Sequence, residues 1–447
     1  MDVVETTVKH TYGTWRRQRG WKPLHVVDAE GCHFTDAAGN RYLDLSSQLM
    51  CSNLGHKNRA LIEAVKKQVE DLAFISPGFT CDIRARATEA LLEVMPKGLE
   101  KFFYATSGTE ANEAAIKIAR LYTGKYKIIS RYTSYHGSTA GSVACTGDLR
   151  RFPIEPAGKI DGVVFGPDAS CYRCPLGLEY DRCGIACADY LEYMIPREGN
   201  VAAVIIEPIV GTNGVLVPPP EYLPRLREIC DRHGVLLIVD EVMTGWGRTG
   251  AWFAVDHYGV VPDILTTAKG VTGAVIPLGI CATTKKIGDH FDDHYFAHGH
   301  TYEAHPLTLA PAVAAVAEYK RLGLIERSRE MGKYLGERLR ELKERHPSVG
   351  DVRGLGLFFA VDLVRDRTTR APFNTQDEKL AGKPLVVDRV TAECMKRGVY
   401  VVGWVSHLVI APPLIIERAD LDQAVKAIDE ALAVADAEVA AGAAAGA

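Results

Sequence analysis

Val235-Leu236-Leu237-Ile238-Val239-Asp240-Glu241-Val242-Met243-Thr244-Gly245-Trp246-Gly247-Arg248-Thr249-Gly250 is the stretch on which the fold turns. Its first five residues are all apolar, the pattern of a strand covered on both faces. The run then stops on a carboxylate. Open parallel α/β sheets carry their ligand-contacting groups just beyond the carboxyl ends of the strands, so Asp240 reads as a site residue as well as a cap for the next turn.

Working outward, the same grammar repeats. Val201–Ile206 is another fully apolar run and ends on Glu207. Further strands are expected at Lys101–Tyr104, Lys127–Ser130 and Ile280–Thr283. Between them lie helical patterns at Glu110–Leu121 and Glu221–His233, and a charged helix at Ile325–Arg345. Val352–Leu363 and Tyr400–Val402 read as strands, and Asp420–Val439 as a last helix with a low-complexity tail after it that should fray. The alternation predicts an α/β fold with a central, mostly parallel sheet. A large domain is expected at about 71–329, with a smaller one built from 1–70 and 330–447.

Composition narrows the classes. The net charge of −4 leaves no basic excess for nucleic acid, and the one basic cluster, Trp15-Arg16-Arg17-Gln18-Arg19, is short. No apolar stretch approaches the roughly 20 residues of a membrane helix, and the N-terminus lacks a secretory design. Cytoplasmic placement is the expectation, with the eleven cysteines reduced.

Chemistry enters 29 positions after Asp240, at Thr266-Thr267-Ala268-Lys269-Gly270. A buried carboxylate needs a positive partner, and a protonated pyridine nitrogen supplies one. That pairing keeps a pyridoxal-type ring cationic, able to store the electrons of a substrate carbanion. Lys269 is then the amine that holds the cofactor as a Schiff base and shuttles the proton once released. Ser107-Gly108-Thr109 opens a helix after a strand, which suits either a phosphate or a plain N-cap. Tyr135-His136-Gly137 offers a ring for stacking. Glu207 is a second carboxylate at a strand end, and Thr301 a candidate second phosphate donor.

Together these motifs resemble the class III pyridoxal-phosphate aminotransferases of fold type I, the ω-amino acid and amine group. The matching segments include YLDLSSQ, FFYATSGTEANEAAIKIAR, YHG, IIEPIVG, LLIVDEVMTGWGRTG, TTAKG, HGHTYEAHP, DVRGLGL and APPL, in order along nearly the whole chain. The resemblance implies Lys269 and Asp240 as catalytic residues. It implies cofactor contacts from Ser107, Gly108, Thr109, Tyr135, His136, Glu207 and Val242. It further implies a homodimer in which Thr301 completes the neighbouring site, and leaves open whether dimers pair into tetramers.

Substrate choice departs from the family pattern. Members that use 2-oxoglutarate often carry an Arg where Val409 stands, and many amine:pyruvate relatives have a mobile Arg where Val402 stands. Arg248 and Arg353 remain as candidate carboxylate partners. Leu49, Met50, Tyr135 and Trp404 are expected to line an apolar substrate pocket. The insertion CYRCPLGLEYDRCGIACADYLEYMI resembles that of taurine:pyruvate aminotransferases. The reading is a transaminase taking an amine or ω-amino acid donor and passing the amino group to pyruvate by a ping-pong mechanism. A 2-oxoglutarate enzyme, or an aminomutase, racemase or decarboxylase on the same scaffold, stays open. Cys171-x2-Cys174 and Cys183-x3-Cys187 could supply four thiolates to zinc, but the chemistry requires no metal there, and a cluster of reduced thiols is the expectation.

Overall fold

The computed structural model describes residues 2–157 and 160–446. Three N-terminal strands, β1 (Val26–Glu30), β2 (His33–Asp36) and β3 (Arg41–Asp44), form an antiparallel ribbon. The centre of the molecule is a seven-stranded sheet. Its strands are β4 (Leu99–Ala105), β5 (Lys127–Arg131), β6 (Val163–Gly166), β7 (Val201–Ile206), β8 (Leu236–Asp240), β9 (Ile264–Thr267) and β10 (Gly279–Thr284), in the spatial order β4-β10-β9-β8-β7-β5-β6. Five neighbours from β9 to β6 run parallel, while β10 lies antiparallel between β4 and β9. Every residue of β7 and β8 is buried, as their unbroken apolar runs require.

A smaller domain carries β11 (Val349–Leu355), β12 (Phe358–Asp366), β13 (Ala371–Pro372), β15 (Val402–Trp404) and β16 (His407–Ile410). Between β13 and β15, β14 (Val399–Tyr400) instead pairs parallel with β3, joining the late chain to the N-terminal ribbon. The stretch read as strand from Val352 to Leu363 is a hairpin, β11 turning into β12 at Gly356-Leu357. Gly356 has φ +59°, and a Cβ there would run into the backbone of Thr249, so the turn needs a glycine. The Tyr400–Val402 reading is likewise divided, because Val401 separates β14 from β15. The last helix runs Arg418–Gly446, so the alanine-glycine tail continues it instead of fraying at Val439; Ala447 lies outside the described residues.

The antiparallel β10 also bears on the site. Its first residue, Gly279, pairs with Ala105 and passes so near the start of the next helix that a Cβ would collide with the Ser107 carbonyl. Backbone cannot yield as a side chain can. Gly279→Ala is therefore expected to cost about 1–3 kcal/mol through forced overpacking, read as a lower Tm; an unchanged Tm would show that β10 can back away freely.

Candidate active site

Loops leaving the sheet's carboxyl edge surround a cavity of about 410 Å³. Nine of the residues singled out in the sequence line it: Ser107, Gly108, Thr109, Tyr135, His136, Glu207, Asp240, Val242 and Lys269. Asn112, Cys51 and Met243, which the sequence did not single out, line it as well.

Asp240 is the last residue of β8 and is 3% exposed. Its Oδ2 accepts from Asn112 Nδ2 at 2.7 Å and from His136 Nδ1 at 2.8 Å, and its Oδ1 accepts from the Val242 backbone N–H at 3.0 Å. Asn112 is held in turn: its Oδ1 accepts from the Thr266 hydroxyl, and its amide also donates to the His136 carbonyl. The carboxylate therefore has one fixed orientation before any ligand arrives. His136 Nε2 is buried and lacks a partner among the described residues.

Lys269 stands two residues beyond β9, in the left-handed region at φ 51°. A lysine in that region stores about 1–3 kcal/mol of backbone strain, as residues at functional sites often do. Burial pushes its amine below the ordinary lysine range, while Asp240 opposes the shift. Glu207, just after β7, accepts from the Tyr135 and Gly211 backbone N–H groups at 3.1 and 2.7 Å. Burial raises its pKa, partly offset by His136.

The far wall is the start of the Gly108–Thr123 helix, capped by Ser107. A Cβ on Gly108 would come within 2.9 Å of both Val242 methyls, so the loop after β8 packs flush against that helix start. Thr109 Oγ1 accepts from the Ser138 and Thr139 N–H groups and shares a hydrogen bond with the Ser142 hydroxyl. These donors suit a phosphate, the amine suits an aldehyde, and the fixed carboxylate suits a pyridinium nitrogen. The cavity fits pyridoxal phosphate.

Other expectations fall elsewhere. Thr301 is exposed and outside this chain's cavity. Leu49 is 65% exposed, while Met50 packs into an apolar cluster with Met243 and Val409. Arg248 and Arg353 are not free to take a substrate. Arg248 is fully buried and spent on the carbonyls of Leu357 and Pro412 and on Ser47 and Asn53. Arg353 binds Asp351, Asp362 and the Gly214 carbonyl. Val402 and Val409 face each other across β15 and β16 as an apolar pair, with no arginine at either position. The four insertion cysteines line a separate small cavity, and among the described residues no group of three or more such side chains is arranged to hold a metal.

The cation that sequence reasoning missed is Arg150. It is 6% exposed, with its guanidinium carbon 3.7 Å from the Tyr135 ring centre and 4.6 Å from that of Trp404. Asp148 grips its Nε and Nη2, and Asn213 bridges Asp148 to the Trp404 indole N–H. Among the described residues, no protein group accepts from its Nη1. The Asp148-x-Arg150 spacing in TGDLRRF is the local hint the sequence offers.

Comparisons with known proteins give the family. The family model described as aminotransferase class-III matches residues 16–432. The taurine–pyruvate aminotransferase of Bilophila wadsworthia is 33% identical over 96% of both chains. A leucine/methionine racemase of Thermococcus litoralis is 35% identical over 92% of this chain and 91% of the racemase. The solved taurine:2-oxoglutarate aminotransferase of Bifidobacterium kashiwanohense, in complex with pyridoxal phosphate and glutamate, superposes with a TM-score of 0.92 at 35% identity over 97% of each chain. Matched by that family model along most of its length and by such relatives nearly end to end, the chain belongs to the class-III aminotransferases, enzymes dependent on pyridoxal phosphate.

Proposed function

We propose that this enzyme moves an amino group from an uncharged amine or an ω-amino acid to pyruvate, the two substrates taking turns in one site. The observation that carries the reading is the convergence of Lys269, Asp240 and the Ser107–Thr109 helix start on a single cavity. When bound there, the cofactor supplies an aldehyde carbon and a cationic ring that stores an electron pair.

The chain's own groups supply the rest. Lys269 Nζ, whose pKa burial lowers, gives up its proton more readily than a solvated lysine, as an attacking amine must, and carries the proton during transfer. Asp240, aligned by Asn112 and His136, keeps a proton on the ring nitrogen through charge. Ser107, Gly108 and Thr109 hold the phosphate at the helix start, where the N–H groups point outward. Val242 and Tyr135 bound the ring space. Trp404 and Tyr135 restrict water and give a donor an apolar surface.

Arg150 is the acid anchor in this reading. With valines at 402 and 409, Arg150 is a buried guanidinium packed on the cavity-lining Tyr135 whose Nη1 has no protein acceptor among the described residues. A fixed arginine at the wall suits a small keto acid such as pyruvate. An uncharged donor uses the same volume without it. The reading includes a homodimer in which Thr301 of each chain completes the other's site. In support, exposed Tyr302, edge-on to Phe74, lines a surface cavity together with Thr106 and Pro277.

Lys269→Ala should abolish turnover while leaving circular dichroism and Tm close to wild type; retained activity would end the proposal. Asp240→Asn should still take up cofactor, seen by absorbance, yet lose about 10²–10³-fold in kcat, the size expected when a charge-stabilising group goes. Arg150→Met should raise KM for pyruvate about 10- to 100-fold, the value of a charge-assisted hydrogen bond, with smaller effects for an uncharged amine. Mixing enzyme with donor alone separates the rival chemistry. Transamination yields one equivalent of aldehyde or ketone and stops, whereas conversion of L-leucine to D-leucine without any keto acid would point to a racemase.

A further inference from the structure

Two cations flank Trp404. Arg150 lies 4.6 Å from its ring centre, and the Lys379 ammonium lies 4.7 Å from the same centre. Lys379 belongs to the short helix Gln376–Ala381 and is half-buried. Its ammonium contacts this indole, with no carboxylate within ion-pairing distance among the described residues. Asp388, at the start of the next helix, acts on it only from farther away, while Arg150 and Arg16 repel it. Burial is the largest influence on its amine and pulls the pKa down.

The two cations sit at different depths. Arg150 is 6% exposed and packs on the ring of Tyr135, which lines the cavity, whereas Lys379 is half-buried and meets Arg150 only across Trp404. The N-terminal segment holds the outer one in place. Arg17 Nη2 donates to the Leu380 and Ala381 carbonyls, and Trp15 lies edge-on to Tyr135 and over Arg150. Trp15, Trp404 and the Lys379 helix thus gather around Arg150 beside Tyr135, a lining residue of the cavity, and we take this side as its mouth.

We infer that Lys379 is a specificity-determining residue, an outer anchor for the acid group of long ω-amino acids whose methylenes lie along Trp404. The inference rests on the reading of Arg150 as the inner anchor. A donor with a short spacer places its acid at Arg150, and a longer one reaches past it. Two like charges around one indole repel, and an anion bound between Trp404 and the mouth relieves that repulsion. The outer site is open to solvent, so its attraction weakens as salt rises.

The test measures initial rates with the holoenzyme and saturating pyruvate. Donors are β-alanine, 4-aminobutyrate, 5-aminopentanoate and 6-aminohexanoate, with hexylamine as the uncharged control. For wild type, the ratio of kcat/KM for 6-aminohexanoate over hexylamine should fall with added salt. In Lys379→Met that ratio should drop about 3- to 5-fold, near the value of one partly exposed charge contact. The loss should sit in KM rather than kcat, with the salt dependence flattened and Lys379→Arg restoring both. A Lys379→Met ratio equal to wild type overturns the proposal, and so does an equal loss across all donors, which would mean a structural role. Arg150→Met run in parallel separates the two readings: if its KM for pyruvate and β-alanine rises while Lys379→Met matches wild type, the inner anchor stands and the outer one falls.

Discussion

A carboxylate buried at the end of a wholly apolar strand sets the terms for everything around it. Asp240 lies where water cannot solvate it, so the fold must supply hydrogen bonds on one side and an opposite charge on the other. Asn112 and His136 provide the first, each braced by Thr266, Thr146 or backbone. On the proposed reading, the pyridinium of pyridoxal phosphate would provide the second. The parallel strands matter because they deliver Asp240, Glu207 and Lys269 to one edge, from three neighbouring positions in the sheet.

That edge was the legible part. β7 and β8 are apolar at every position because both faces are covered, and such runs betray themselves without an alignment. The helix starting at Gly108 announces itself through Ser107 and the glycine beside it. The direction of β10 was not written anywhere in Gly279–Thr284, since an apolar strand has the same composition either way up. The β11–β12 hairpin was blurred because residues on both sides of Gly356 are strand-like, and only the tight approach to Thr249 forces the turn.

Arg150 and Lys379 were invisible for a different reason. Their surroundings come from segments far apart in the chain: Trp15, Tyr135, Asn213 and Trp404. Arg248 and Arg353 stood out more in the sequence, yet the fold uses them as tethers between the sheet and the smaller domain. A charged side chain's role depends on which acceptors the fold leaves near it, and that is a property of packing, not of local motif. The cysteine insertion shows the converse. Its spacing looked suggestive, while the structure gives it a small cavity of its own, away from the cofactor space.

The valine pair across β15 and β16 has a consequence for how the enzyme behaves in mixtures. Without an arginine able to swing in and out, the wall cannot be charged for one partner and greasy for the next. On the proposed reading, acids and neutral amines would then share one compartment of unchanging charge. On the proposed reading, excess keto acid would settle into the wrong form of the catalyst and throttle it, so flux through the reaction would peak and decline as acceptor accumulates.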